Sequence, residues 1–393
     1  ALKCSDQMLS EGISFNAFTL SCLLKACGSV RDVRKGMQIH YEIVNRGLLE
    51  ENSDVVLGNA LIDMYAKCGE LCDAEIVLQD IPIRNAVSWS TLIAGYAQYG
   101  FANEALNCFN KMRGEGFVPD SITFICILKA CSSIRSLERG EEIHAEVKRH
   151  GLSENNNVIL GSALIGMYAK CGALLKAQEV FDNLLIRNVV SWTVLALGYT
   201  NHGHAKEALN LYRQMQPEGV CPNSITYVCC LKACGILGDP IMGGEIYSEM
   251  NRKGSSDNDL VLGNALINMY AKCGLFSEAL HLHEKLCVRD VGSWNALFAG
   301  YALHKKAREA VGCLKCMQLE GLSPDSITLT SILKACGSAG SMNDGRNIHD
   351  EIAKKGLFRG DLVIGNALID MCAKCGLLQE AQEVFNELHI KDV

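Results

Sequence analysis

The chain has 393 residues, of which 49% are apolar and only 6 are proline, and its formal net charge at pH 7 is −7. It contains no stretch of about eighteen consecutive apolar residues, so the composition predicts a soluble, packed protein and excludes a membrane-spanning helix. The acidic total argues mildly against a polyanionic partner, although a sum over the whole chain hides which face carries the charge. The chain starts at Ala1 without a leader segment and ends in mid-pattern, so we expect a piece of a longer protein.

One line of sequence occurs four times at an almost constant interval. It reads GNALIDMYAKCG at 58–69, GSALIGMYAKCG at 161–172, GNALINMYAKCG at 263–274 and GNALIDMCAKCG at 365–376. A period this strict predicts a solenoid in which each unit buries its apolar face against its neighbours. Apolar residues follow helical spacing, as at Leu61, Met64 and Tyr65, and no strand pattern occurs. The predicted fold class is therefore all-α, built from stacked helical hairpins.

Each period of about one hundred residues divides into three hairpins of about 36, 31 and 35 residues, which we call L, S and P repeats. Pro119, Pro222 and Pro324 fall at one place near the end of the P repeat, where proline disfavours helix at the preceding residue. The complete repeats are 17–54 (L), 55–85 (S), 86–120 (P), 121–157 (L), 158–188 (S), 189–223 (P), 224–259 (L), 260–290 (S), 291–325 (P), 326–361 (L) and 362–392 (S), after a partial P repeat at 1–16.

The chain has 20 cysteines, and eight of them recur at two fixed repeat positions. One position holds Cys68, Cys171, Cys273 and Cys375, and another holds Cys27, Cys131, Cys234 and Cys336. Equivalent cysteines in successive units are expected to act as small buried apolar residues, which favours a reducing compartment over a disulfide scaffold. The CxxC at Cys313–Cys316 has no second pair at zinc spacing, so we predict neither a metal site nor a cofactor.

The alternation of repeats resembles the pentatricopeptide repeat family, and specifically its plant PLS subclass. The lines that carry the resemblance are SWNALFAGY at 293–301 with its two counterparts, the MYAKCG line, and the LKAC line that opens each L repeat. The W..LG..Y pattern of tetratricopeptide repeats is absent. The resemblance implies a right-handed α-solenoid superhelix whose first helices line a groove for single-stranded RNA, with one base read per repeat. It also implies C-to-U RNA editing in a plastid or mitochondrion, with the transit peptide outside this chain.

In this family the fifth and the last residue of a repeat together address one base. The pairs in P repeats are Ser90 with Asp120, Thr193 with Asn223 and Asn295 with Asp325, and those in S repeats are Asn59 with Asn85, Ser162 with Asn188, Asn264 with Asp290 and Asn366 with Asp392. By resemblance these pairs predict the target 5′-YGNAANUUNU-3′, where Y is a pyrimidine and N any base. Their hydroxyl, amide and carboxylate groups suit the Watson–Crick edge of a base. Helix capping is the alternative role for these residues, above all for the last one.

L repeats carry Ser21, Ile125, Val228 and Thr330 at the fifth place. Because isoleucine and valine have no hydrogen-bonding side-chain group, we expect L repeats to pack, to act as spacers or to bind a partner. By resemblance, that partner is a small editing cofactor protein.

Two further sets of residues are candidates for contacts outside the base edge. The second residue flanks the base in this family, and here it is Val56, Val87, Ile159, Val190, Val261 or Val363, with Gly292 as the exception. Lysines at the thirteenth place of the S repeats form a stripe for phosphates: Lys67, Lys170, Lys272 and Lys374. The alternatives are a buried core role for the aliphatic residues and a solvated face for the lysines.

The sequence predicts a binding module and not an enzyme. Members of this subclass often end in a cytidine deaminase domain with HxE and PCxxC motifs. HxE occurs here at His40, His144 and His349, but these recur with the L repeat and no PCxxC follows, which indicates packing. A protein-interaction scaffold, and RNA processing or stabilisation without editing, stay open as functions. Terminal repeats without polar caps are also compatible with self-association.

Overall fold

The computed structural model describes residues 8, 14–49, 55–152, 157–253, 259–354 and 361–388. In these residues all regular structure is helical and consists of 22 α-helices that alternate as first and second helices of hairpins. The first helices are α1 (Ala17–Val30), α3 (Val55–Cys68), α5 (Ala86–Gln98), α7 (Ser121–Ser133), α9 (Val158–Lys170), α11 (Val189–Asn201), α13 (Ser224–Leu237), α15 (Leu260–Lys272), α17 (Val291–Leu303), α19 (Ser326–Ala339) and α21 (Leu362–Lys374). The second helices are α2 (Val33–Asn45), α4 (Leu71–Asp80), α6 (Ala102–Gly114), α8 (Leu137–Arg149), α10 (Leu174–Asp182), α12 (Ala205–Met215), α14 (Pro240–Arg252), α16 (Phe276–Lys285), α18 (Ala307–Leu319), α20 (Met342–Lys354) and α22 (Leu378–Glu387).

The chain forms two compact units, residues 1–198 and 199–393. In the first unit α1, α3, α5, α7 and α9 each pack on their own second helix, and consecutive members of this series pack on one another. In the second unit α13, α15, α17, α19 and α21 are arranged in the same way. Buried apolar side chains fill these contacts, for example Phe109 and Phe124 in the first unit and Phe298 and Leu333 in the second. The predicted all-α fold of stacked hairpins is confirmed.

Each first helix begins after an asparagine or aspartate wherever the preceding residue is described. The side-chain Oδ1 of Asn85, for example, accepts a hydrogen bond from the backbone N–H of Ser88 at 2.9 Å, and that of Asp120 accepts from Thr123 N–H at 2.8 Å. These bonds satisfy N–H groups that lack a partner within the helix. The last residue of a repeat therefore positions the first helix of the next one.

The row of cysteines at Cys27, Cys131, Cys234 and Cys336 is fully buried between helices. Burial raises the pKa of the Cys131 thiol to about 11 and that of Cys234 to about 12, so both thiols are neutral at physiological pH. Every cysteine in the described ranges is a free thiol. A second CxxC that the sequence interpretation missed, Cys372 and Cys375, lies in α21 and the residue after it, with both side chains buried.

The turn within the P repeat needs a left-handed residue, which is Gly100 (φ 84°) in the first P repeat and Gly203 (φ 82°) in the second. The third P repeat has Lys305 there with φ 57°. A side chain in this conformation costs roughly 1–2 kcal/mol, partly offset by the backbone entropy that glycine loses on folding.

We expect Lys305→Gly to raise the free energy of unfolding by about 1 kcal/mol, because it removes the strain of the left-handed backbone. Denaturant unfolding followed by circular dichroism measures this change. Gly203→Lys is the matched control and is expected to lower the same quantity. If both variants unfold at the same denaturant concentration as the wild-type chain, the left-handed backbone at this turn does not strain a side chain.

Candidate nucleic-acid interface

The second, fifth, ninth and thirteenth residues of a first helix lie on one helix face, because their spacings of three and four residues each correspond to about one turn. The second residues predicted to flank bases are exposed, from 48% for Val190 to 67% for Ile159. The alternative of a buried core role for this row is therefore wrong. L repeats carry the same feature, which the sequence interpretation missed although the repeat register could have shown it. Their exposed second residues are Phe18, Ile122, Ile225 and Ile327.

The structure brings the fifth and the last residue of several repeats into contact. Asn59 Nδ2 donates to Asn85 Oδ1 at 3.4 Å, and Asn264 Nδ2 donates to Asp290 Oδ1 at 3.3 Å. In the third P repeat Asn295 Nδ2 lies 3.2 Å from both carboxylate oxygens of its partner, Asp325. Since the last residue also caps the next first helix, each contact joins two neighbouring first helices.

In the first P repeat the contact between Ser90 and Asp120 is indirect. The hydroxyl of Thr123 lies 2.9 Å from Ser90 Oγ and 2.7 Å from Asp120 Oδ1. Thr328 occupies the equivalent place in the third period, where its hydroxyl oxygen lies 2.6 Å from Asn295 Oδ1 and 2.8 Å from Asp325 Oδ1. A threonine one turn into the following L repeat therefore holds both members of the pair.

For the other three pairs, no contact between the fifth and the last residue is described. Ser162 donates to the Val158 carbonyl at 2.7 Å, and within the described ranges it makes no hydrogen bond to Asn188. Thr193 and Asn223 belong to different compact units. Asn366 is described, whereas its partner Asp392 lies outside the described residues.

Capping uses only one of the two polar atoms at the end of the last residue's side chain. Its Oδ1 accepts a hydrogen bond from the backbone N–H. In an asparagine this requires the amide oxygen to face the helix, because the amide nitrogen is a donor. The other polar atom has no hydrogen-bond partner within the described part of the chain in Asn85, Asp120, Asn188, Asn223 and Asp290. This outer atom is a donor in asparagine and an acceptor in aspartate. Both residues can therefore cap the helix, but they leave different groups for a further hydrogen bond.

The carboxylate of Asp325 is held in its charged form. Burial alone would raise its pKa, but hydrogen bonds from Thr328 and Asn295 outweigh that effect and lower the pKa below its ordinary value. The group is therefore an acceptor throughout the neutral range.

The thirteenth-place lysines lie at the C-terminal ends of the S-repeat first helices. Lys67, Lys170 and Lys374 are exposed, and Lys272 is half-buried. Lys67 donates to Asp63 at 2.7 Å, and Lys374 donates to Asp370 at 2.7 Å.

Two of the three HxE histidines join an L repeat to the following S repeat. His40 Nδ1 lies 2.9 Å from the Tyr65 hydroxyl, and His144 Nδ1 lies 2.8 Å from the Tyr168 hydroxyl. Cys313 of the other candidate motif has its Sγ 3.6 Å from the Tyr301 hydroxyl. Among the residues that the structure describes, no group of three or more histidine, cysteine or acidic side chains could hold a metal ion. None of the described helices is both long and apolar enough to span a membrane.

Comparison with known proteins identifies the repeats. A model of the PPR repeat family matches residues 84–133, 187–235 and 289–338, and a model of the PPR repeat matches 18–48, 162–189, 225–255, 264–291, 327–357 and 366–393. A chloroplastic pentatricopeptide repeat-containing protein of Arabidopsis thaliana is 37% identical over 330 residues, which are 84% of this chain and 52% of that protein. A mitochondrial one from the same plant is 31% identical over 392 residues, covering 100% of this chain and 56% of that protein.

A solved structure shares the fold. It is the pentatricopeptide repeat protein PPR10 in complex with an 18-nt psaJ RNA element, with a TM-score of 0.53, 20% identity, and coverage of 97% of this chain and 65% of that one. The chain spans about half the length of the curated relatives that it matches. Repeat matches along the sequence, relatives over its length and a shared fold all agree, and the chain belongs to the pentatricopeptide repeat family.

Proposed function

We propose that this chain binds single-stranded RNA along the first-helix face and reads one base in each P or S repeat. The observation that carries the proposal is the paired contact of fifth and last residues, in which Asn85 and Asp290 keep an outer donor or acceptor atom beside a row of exposed aliphatic side chains. Exposed apolar side chains in a row indicate an interaction surface. The flat faces of bases suit such a surface, and the edge of each base then meets the outer polar atom.

The proposed target is 5′-YGNAANUUNU-3′ over residues 55–392. A well-made contact to a base edge discriminates by about 1–3 kcal/mol, so the P and S repeats together are enough for a selective site. The complex of PPR10, a member of the same family, with an RNA element supports RNA as the ligand class.

We propose further that the bound site specifies C-to-U editing in a plastid or mitochondrion, with the deaminase outside this chain. The alternation of L, S and P repeats and the relatives named chloroplastic or mitochondrial support this assignment. RNA processing or stabilisation without editing would use the same interface. A protein-interaction scaffold is the second candidate, favoured by the exposed apolar residues of the L repeats.

A fluorescence anisotropy titration at two salt concentrations tests RNA recognition. It compares RNA carrying YGNAANUUNU with RNA in which both A positions are changed to U. We expect tighter binding to the first RNA, by about 5- to 150-fold for each of the two changed bases. Equal, weak binding to both RNAs would contradict base reading and favour the scaffold.

A further inference from the structure

The first helices carry a positive charge that the composition of the whole chain conceals. The only charged residues in these eleven helices are eight lysines and two aspartates, whereas the chain as a whole has a net charge of −7. The lysines are Lys25, Lys67, Lys129, Lys170, Lys232, Lys272, Lys334 and Lys374, and the aspartates are Asp63 and Asp370. The P-repeat first helices contain no charged residue. Positive charge on this face is therefore concentrated where an L repeat meets the following S repeat.

At each such junction the ninth residue of the L repeat and the thirteenth residue of the S repeat are both lysine. The stem of the S-repeat lysine lies across a glycine of the L-repeat helix. A Cβ built on Gly235 would stand 3.4 Å from Lys272 Cδ, and Gly28 and Gly337 have the same relation to Lys67 and Lys374, at 3.2 and 3.4 Å.

The L-repeat lysine precedes that glycine by three residues, so it lies one turn away on the same helix face. Lys232 and Lys272 are consequently neighbours, and the charge of Lys232 adds to burial in lowering the pKa of Lys272. Lys232 itself donates to the neutral Asn201 Oδ1 at 2.8 Å, which leaves its charge uncompensated. In the second period Ser132 replaces the glycine, with Lys129 three residues before it.

The four junctions differ in how far their charge is compensated. Asp63 and Asp370 pair with Lys67 and Lys374 at the first and fourth junctions. The equivalent residues at the second and third junctions are Gly166 and Asn268, which carry no charge. Lys170 and Lys272 accordingly form no ion pair with any residue in the described ranges, and these two central junctions keep two positive charges each.

We propose that each L–S junction is a binding site for an RNA backbone phosphate, formed by two lysines, and that the two central junctions contribute most. The L-repeat lysines, Lys25, Lys129, Lys232 and Lys334, are thereby assigned to the RNA backbone. This inference rests on the proposed RNA-binding function and gives the L repeats a role that does not require them to read a base. Two ammonium groups beside one phosphodiester displace condensed counterions, so the sites should dominate the salt dependence of binding.

The test measures RNA affinity as a function of salt for the double variant Lys129→Gln with Lys232→Gln. Each phosphate contact on a single strand contributes about 0.7 to the slope of log affinity against log salt, so we expect the slope to become shallower by up to about 1.4. The decrease in affinity should be equal for RNA with the predicted sequence and for RNA with both A positions changed, because phosphates carry no sequence information. Lys206→Gln with Lys315→Gln is the matched control, since both are exposed lysines of second helices, and it should leave the slope unchanged.

At the first and fourth junctions, removal of the aspartates is expected to strengthen phosphate binding. Asp63→Asn with Asp370→Asn reproduces the asparagine found at Asn268 and should steepen the slope and tighten binding at low salt. A wild-type slope in both double variants, in a protein that binds RNA, would overturn the proposal while leaving base reading intact. Failure of the wild-type chain to bind any RNA would instead refute the proposed function itself, and this inference with it.

Discussion

Asn295→Ser is expected to change the preferred base at the eighth position of YGNAANUUNU from U to G. In the wild-type chain Asn295 Nδ2 donates to both oxygens of Asp325, so each oxygen already accepts a hydrogen bond from the protein. Serine is shorter and would leave one carboxylate oxygen open, as it is in the Ser90–Asp120 pair. The N1–H and N2–H donors of guanine match such an acceptor, and the shorter side chain also leaves room for a purine.

The effect should be large, because one base contact is worth about 1–3 kcal/mol, which corresponds to roughly 5- to 150-fold in affinity. Competition between RNAs with U and with G at this position measures it. The reciprocal variant Ser90→Asn is the matched control and should change the second position from G towards U. Thr123 and Thr328 hold the two pairs alike, so the exchange tests the fifth residue alone. Identical base preferences in the wild-type chain and both variants would show that the fifth residue does not discriminate between bases.

Gly300→Ala is expected to lower the free energy of unfolding by about 3 kcal/mol. A Cβ on Gly300 would lie 2.5 Å from Ala271 Cβ and 2.7 Å from the carbonyl carbon and oxygen of Ala271. Because two of these atoms belong to the backbone of α15, the clash cannot be relieved by a side-chain rotation and requires α15 and α17 to separate. In the first unit a Cβ on Gly95 or Gly198 would lie 2.9 or 2.6 Å from the Cβ of Ala66 or Ala169, with the alanine Cα farther away at 3.6 Å.

The matched control for this prediction is Gly312→Ala. Gly312 lies within the second helix α18 with no atom within 4 Å of its added Cβ. Alanine there should raise stability by up to about 1 kcal/mol through its higher helix propensity. Denaturant unfolding of the two variants gives the comparison, and equal effects from both would contradict the close approach of the two first helices.

The repeat sequence predicted the fold because the period and the helical spacing are both local signals. The apolar line at Leu61, Met64 and Tyr65 is buried as its spacing indicates. The second residues could not be assigned in this way, since an aliphatic residue at the start of a helix fits either a core or an exposed row. Only the packing of neighbouring helices shows that Val56 and Val87 face outwards.

The sequence indicated which residues belong to the candidate site, but not how their side chains are placed relative to one another. The capping role of Asp120 was apparent from its residue type and position, but a sequence cannot show that capping occupies only one of its oxygens and leaves the other for the proposed contact with a base. The paired lysines were missed for another reason. Lys232 and Lys272 are forty residues apart and become neighbours only through the contact of Lys272 with Gly235.

The last residue caps a helix with one polar atom and, in the proposed function, contacts a base with the other, which has a consequence for how such proteins change over generations. Asparagine and aspartate cap a helix about equally well, so exchanging one for the other should alter the outer atom with little cost to folding. Mutations that retarget a repeat would then not be filtered out by reduced stability, which usually constrains change in a packed protein. A duplicated gene could drift from one transcript to another through folded intermediates, one base at a time.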